Sequence, residues 1–388
     1  MSKSMIGYDL NERYCQISYY NEEQQEPQTM ETLAYSVDNL FVRAAKQESQ
    51  EIVRELKVFV ERSLEKFENI DKLVFTVPEL NVDMVRMLKG IGQRVGVEKQ
   101  NISIQDYKES FCHYMLCQPK ELWQYEAALF HCDRTEVKAY MLRKIRTGYG
   151  KGRDAFITVD EVAKAQMEEL AAVYPVLNVD RAKEADIRFK QFVQGVFDKK
   201  LVSSVFLVGE GFENNWYPQS LKVLCNGRRA FLGNNLYSKG ACYTAYKKAS
   251  DYEDSFIYLD ETKMMDQICV KLRMQGRERW YPLVSWGSHW YEADNQCEIL
   301  LENTDDIELH IESLAGADMR VERISLEGLP VRKNYTLRLQ VKVMFPNEKS
   351  CIVSLKDMGF GEFFPATDFY VEREIRLGGS NEQFNSLS

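Results

Sequence analysis

Two glycine-marked turns carry the residues of this chain whose types and spacing could do chemistry. The apolar run Val205-Phe206-Leu207-Val208 ends in Gly209-Glu210-Gly211 and is followed by Phe212. A second glycine turn at Gly233 opens a helix-forming stretch that holds Lys239, Gly240 and Ala241. A buried strand that stops at glycine, with a helix next, lets backbone amides come close to a ligand at the carboxyl edge of a sheet, because no Cβ stands in the way. The same pattern also arises where two elements simply pack closely, so both readings stay open at this point. A third cluster, Gly148-Tyr149-Gly150-Lys151-Gly152-Arg153, looks like a phosphate loop but lacks the Walker spacing and the Lys-Ser/Thr pair, and reads as a hairpin tip. Cys112 and His113 are adjacent, and adjacent residues on a helix point apart, which excludes them as a nucleophile and base pair. The nine cysteines form no CxxC pair and the four histidines show no metal-ligand spacing. Reduced thiols in a cytoplasmic protein are the expectation.

The elements that must position these turns follow from periodicity. Residues 5–10 and 14–19 read as two short strands joined by Asn11-Glu12-Arg13. Residues 50–67 place Ile52, Val53, Leu56, Phe59, Val60 and Leu64 on one helical face. A strand over 73–78 stopped by Pro78, a helix over 82–95, a strand over 101–104 and a helix over 106–116 come next. Residues 127–140 form a hairpin with no glycine, and 160–173 and 180–197 read as helices before the strand that ends at Gly209. Beyond residue 260 the pattern changes to alternation, with strands over 296–302, 309–314, 336–343 and 350–355. Trp280, Trp286 and Trp290 read as packing residues.

Composition bounds the function. A chain of 388 residues with 45% hydrophobic residues can build two or three cored domains. The formal net charge of -9 and the lack of a basic tail argue against nucleic acid as the main partner. No run of about 18 apolar residues predicts a membrane span, and the start has no apolar signal core.

The order of these elements resembles the actin, sugar kinase and seventy-kilodalton heat-shock ATPase superfamily. The quoted turns 209–211 and 233–241 resemble its adenosine-binding end. The hairpin with Gly7, Tyr8 and Asp9 resembles its first phosphate loop, in which the Asp holds a metal-bound water. The resemblance thus implies an α/β actin-like ATPase fold of two RNase H-like lobes over residues 1–255, a linker at Phe256, Ile257, Tyr258, Leu259 and Asp260 similar to that of the chaperones, and an all-β sandwich over 261–388 without a helical lid. It further implies ATP or ADP with Mg²⁺ in a cleft touched by Gly7, Tyr8, Asp9, Asn11, Arg13, Asp133, Thr135, Gly209, Glu210, Gly211, Phe212, Lys239 and Gly240, with Asp9 reaching the metal through water. Two departures count against hydrolysis. Glu12 adds a carboxylate to the first turn, and the hairpin at Asp133-Arg134-Thr135-Glu136 lacks the glycines that let a backbone wrap phosphates. Two expectations remain: a divergent chaperone-like switch with a degenerate ATP cleft, gripping a polypeptide partner through the sandwich, or a non-hydrolysing pseudo-ATPase scaffold or interaction module with an empty or weakly occupied cleft. Both expect a protein or peptide partner and neither expects nucleic acid or membrane.

Overall fold

The computed structural model describes residues 3–377 apart from 22–23, 25, 146–154, 173–177, 251–255, 275, 302–303, 315–318, 333–336 and 348. The hairpin tip expected at 148–153 lies outside the described residues. The chain forms two compact units, one of residues 1–144 and 157–254, the other of residues 145–156 and 255–388.

The first unit holds two sheets built on one plan. Strands β1 (Ser4–Leu10), β2 (Tyr14–Tyr20), β3 (Gln28–Thr29) and β4 (Leu33–Ala34) precede helices α1 (Leu40–Ala45) and α2 (Gln50–Leu64). Then come β5 (Ile70–Val77), α3 (Val82–Arg94), β6 (Ile102–Asp106) and α4 (Tyr107–Leu116). The sheet order is β3-β2-β1-β5-β6, antiparallel through the first three and parallel from β1 outward. Strands β7 (Glu126–Asp133), β8 (Glu136–Ile145) and β9 (Ala155–Gln166), helix α5 (Val179–Phe197), β10 (Val202–Val208), α6 (Pro218–Leu224), β11 (Arg229–Leu232) and α7 (Leu236–Ala249) follow. Their order, β11-β10-β7-β8-β9, repeats the first sheet's plan: an antiparallel hairpin at β7-β8, then parallel pairing at β10 and β11. This is the two-lobed α/β arrangement expected of an actin-like fold.

The predicted spacings account for most of this. Ile52, Leu56, Val60 and Leu64 form the buried stripe of α2, whose start is capped by Ser49 accepting from the Ile52 amide. Asp106 caps α4 by accepting from the Glu109 amide at 2.8 Å. In the second lobe, Phe189 on α5 meets Phe130 on β7 edge to face, and Trp216 and Tyr217 complete that core. One expectation fails: residues 160–166 are strand, not helix, and 168–172 form a short 3₁₀ turn. Cross-strand ion pairs from β8, Arg143–Asp160 and Lys164–Glu136, suit the charged residues to a strand face.

The second unit is strand-rich. It comprises β12 (Phe256–Tyr258), β13 (Asp266–Met274), β14 (Arg277–Val284), β15 (Asn295–Leu301), β16 (Asp306–Ser313), β17 (Met319–Ser325), β18 (Leu337–Asn347), β19 (Ser350–Asp357) and β20 (Tyr370–Arg376). Two four-stranded antiparallel sheets, β14-β13-β16-β17 and β15-β18-β19-β20, share one apolar cluster fed by Ile268, Leu309, Val341 and Val353. The sequence reading located β15, β16, β18 and β19 and missed β13, β14, β17 and β20. The five residues expected as a linker are tied into this unit. Leu259 is fully buried with Phe156, Met265 and Leu314, and Ile257 covers Gly287. Asp260 Oδ1 accepts from the Thr262 amide at 2.7 Å and from its hydroxyl at 2.8 Å.

Candidate functional site

The candidate cleft is built from the first turn of each lobe and from α7. Asn11 closes the β1-β2 turn: its side-chain oxygen accepts from the amides of Arg13 at 2.9 Å and Tyr14 at 3.1 Å. Arg13 is thereby aimed at Glu210, with which it forms an ion pair across the lobes. Burial, with Asp133 and Glu213 nearby, raises the Glu210 carboxyl above its ordinary range, and Arg13 works against that.

Asp9 lies on β1, almost wholly buried. Burial pushes its carboxyl up to about 7, against the hydrogen bond that the Tyr107 hydroxyl donates to Oδ1 at 2.9 Å. The Tyr107 ring stacks on Tyr237 of α7 with centroids 3.7 Å apart and planes within 6°. His131 of β7 borders the same stack, its Nδ1 2.8 Å from the Tyr237 hydroxyl. Burial holds the imidazole well below its usual range, so it is neutral at pH 7. Sequence reasoning missed Tyr107, His131 and Tyr237. They come from three distant elements, and no spacing signal links them.

The glycines sit where protein packs against protein. A Cβ on Gly7 would fall 2.2 Å from the backbone of Cys242 and Ser238 on α7, and one on Gly240 would fall 2.0 Å from the carbonyl oxygen of Ser110 on α4. Gly209 has φ +101°, and a Cβ there would meet the Cys132 carbonyl oxygen at 2.2 Å; on Gly211 it would meet the Cys132 Sγ at 2.2 Å. Phe212 turns into the second-lobe core beside Phe189 and Trp216. Tyr8 is fully buried on β1 against Phe75, its hydroxyl bonded to Ser63. At the second hairpin Asp133 pairs with Glu136, and Arg134 supplies the left-handed turn residue with φ +49°. Thr135 accepts from Gln166 at 2.7 Å. Lys239 is half-buried on α7 between Ser238 and Gly240. The structure thus brings Asp9, Arg13, Asp133 and Glu210 into one neighbourhood and commits Gly7, Gly209, Gly211, Gly240 and Phe212 to packing.

Fold and site together define a two-lobed α/β protein of actin-like strand order in which Tyr107, Tyr237 and His131 stack where the lobes meet. Residues 17–261 match the family described as "Family of unknown function (DUF5716) C-terminal", and the chain belongs to that family. Residues 263–377 match a "Domain of unknown function (DUF8552)". No curated relative matches significantly. Solved structures with similar chain traces include a ROK family transcriptional regulator, a homolog of the E. coli MLC protein, at 9% identity and TM-score 0.37, covering 64% of this chain and 79% of that one. The inorganic polyphosphate/ATP-glucomannokinase of Arthrobacter sp. strain KM overlaps at 9% identity and TM-score 0.39, covering 64% and 99%. The ethanolamine utilization protein EutJ of Carboxydothermus hydrogenoformans overlaps at 13% identity and TM-score 0.36, covering 62% and 89%. The fold description rests on strand order rather than on overlaps of this size. Among the described residues no helix is long and apolar enough to cross a membrane.

Proposed function

We infer that this protein is a non-hydrolysing scaffold on an actin-like frame, with a degenerate nucleotide cleft and a polypeptide partner held by its strand-rich second unit. The observation that carries the reading is the Tyr107 phenol. It donates to Asp9, the carboxylate to which the resemblance assigns a metal-bound water, and its ring is stacked on Tyr237 at 3.7 Å. Asp9 is almost wholly buried and one of its carboxylate oxygens is already taken by the Tyr107 hydroxyl, which makes it a poor anchor for hydrated Mg²⁺. Gly209 and Gly211, whose bare backbone would cradle a nucleoside, face Cys132 instead. These residues do not fit a magnesium nucleotide, and no catalytic step is assigned to them. The reading favours the pseudo-ATPase expectation over the nucleotide-driven chaperone-like switch.

The second unit supports a polypeptide partner. In its two four-stranded sheets, the edge strands Met319–Ser325 and Tyr370–Arg376 offer backbone for strand addition. On the outer face Trp280, 46% exposed, lies over His310 with centroids 3.8 Å apart, beside exposed Val321 and Met319.

Calorimetry with ATP or ADP and Mg²⁺ tests the cleft: no binding heat at millimolar nucleotide and no phosphate release are expected. Turnover that is lost in Asp9→Ala overturns the reading. Reduced carboxymethylated lactalbumin, a permanently unfolded chain, tests the partner surface, with binding expected to fall about tenfold in Trp280→Ala.

A further inference from the structure

The turn between β19 and β20 presents apolar rings to water on a rigid base. Phe363 is 91% exposed, and Phe360 and Phe364 at 44% and 38% stand beside it. The base is fixed by Asp357, which is fully buried. Its carboxylate accepts from the amides of Gly359 and Thr367, each at 2.9 Å, from the Thr367 hydroxyl at 2.9 Å, and from both ends of the Arg332 guanidinium. The turn also closes on itself. The Phe360 amide donates to the Phe364 carbonyl at 2.6 Å, and Gly359, at φ +64°, lies so near Ala366 that a Cβ would approach its nitrogen to 2.5 Å. A turn held this firmly has already lost the entropy that binding would cost it, and exposed rings on such a base mark a docking element. Residues 358–370 carry Glu362 and Asp368 and no Lys or Arg, so the tip is apolar and acidic together.

A groove of the opposite character runs along the first unit between α2 and α3. Gln50, Val53, Arg54 and Lys57 line one wall at helical spacing, and Asp83, Arg86, Met87 and Arg94 line the other, around a volume of about 530 Å³. Val53 and Met87 supply an apolar floor. Arg86 has Asp83 at 3.5 Å; Asp83 is the one acidic residue lining the groove, against four cations, in a chain of net charge -9.

We propose that the phenylalanine turn of one copy docks in the α2-α3 groove of a second copy. Aromatic rings flanked by carboxylates match guanidinium groups ranged round an aliphatic floor, through ring-to-cation contacts and through charge. The chain's own acidity disfavours the other convex-tip target, an anionic membrane surface. Donor and acceptor are different patches, so every copy carries both halves of the contact. A tip of three rings buries little area, which places association at about 1–100 µM rather than nanomolar.

Sedimentation velocity of the full chain tests this across that concentration range. The natural protein should associate, less in 0.5 M salt. Phe363→Asp and the double variant Arg54→Glu/Arg94→Glu, both at exposed positions, should each stay monomeric. Because each variant retains the half the other lacks, an equimolar mixture of the two should form a one-to-one dimer and nothing larger. A natural protein that stays monomeric to 100 µM overturns the proposal. So does association undiminished in either variant, or two monomeric variants that fail to pair when mixed.

Discussion

Replacing Asp9 with Asn keeps the shape of the side chain and an acceptor for the Tyr107 hydroxyl while removing the charge. In the folded protein the carboxyl rises from 3.8 to about 7 because burial penalises the ionised form. At about 1.4 kcal/mol for each tenfold change in proton affinity, holding the ionised group in place costs about 4 kcal/mol above pH 7. The sign follows from the raised value: stability is fully present below about pH 4, is lost as pH climbs to about 7, and is level beyond. Asp9→Asn should therefore match the natural protein at pH 4.5 within about 1 kcal/mol and exceed it at pH 8 by as much as about 4 kcal/mol. Urea unfolding at the two pH values measures both differences. If Asp9→Asn is the less stable protein at pH 8, or if Mg²⁺ stabilises the natural protein and not the variant, the carboxylate is ionised and partnered, and the closed-cleft argument fails.

Gly211→Ala should cost about 1–3 kcal/mol by overpacking against the Cys132 sulfur, and Cys132→Ala should recover part of that loss in the double variant; additive losses would mean the contact is not as close as 2.2 Å. Tyr237→Leu removes the stacking partner of Tyr107 and the His131 contact, and should lower stability by about 1–3 kcal/mol in thermal unfolding without creating nucleotide affinity; ATP binding gained by that variant would show that the stack blocks an otherwise competent cleft. Arg332→Ala leaves the Asp357 carboxylate buried without its cation and should cost about 3–5 kcal/mol. Burial raises the Asp357 carboxyl, but its hydrogen bonds from Gly359, Thr367 and Arg332 outweigh that and lower it overall. The stability it lends is thus present above about pH 4 and is lost as pH falls further, and an acid titration in which Arg332→Ala keeps the natural profile would refute the assignment.

Helices and strands with one buried face were legible in the sequence, because burial writes a period into the residues, as in the stripe of α2 and the alternation of β18. The strand over residues 160–166 was not, since its charged residues pair across to β8 and mimic a solvated helical face. Gly7, Gly209, Gly211 and Gly240 were found as positions where something comes close. A glycine does not say what approaches it, and here it is Cys132 and the backbones of α4 and α7. The aromatic stack was invisible for another reason: His131 and Tyr237 are 106 residues apart, and Tyr107 and Asp9 are 98 apart, so only the folded chain brings them together.

Helix α7 leaves the second lobe and lies on the first sheet, with Gly7 beneath it, Gly240 against α4, and Ser238 bonded to Ser18 at 2.8 Å. Where two surfaces meet through side chains, rotamers can flip and the surfaces can slide. Where they meet backbone to backbone, any shift is resisted at once by atoms that have nowhere to turn. The seam along α7 is of the second kind, so this helix, although it follows the second lobe in the chain, is held as part of the first. Any movement of one lobe against the other therefore has to bend the short chain between β11 and α7 and break the ion pair of Arg13 with Glu210.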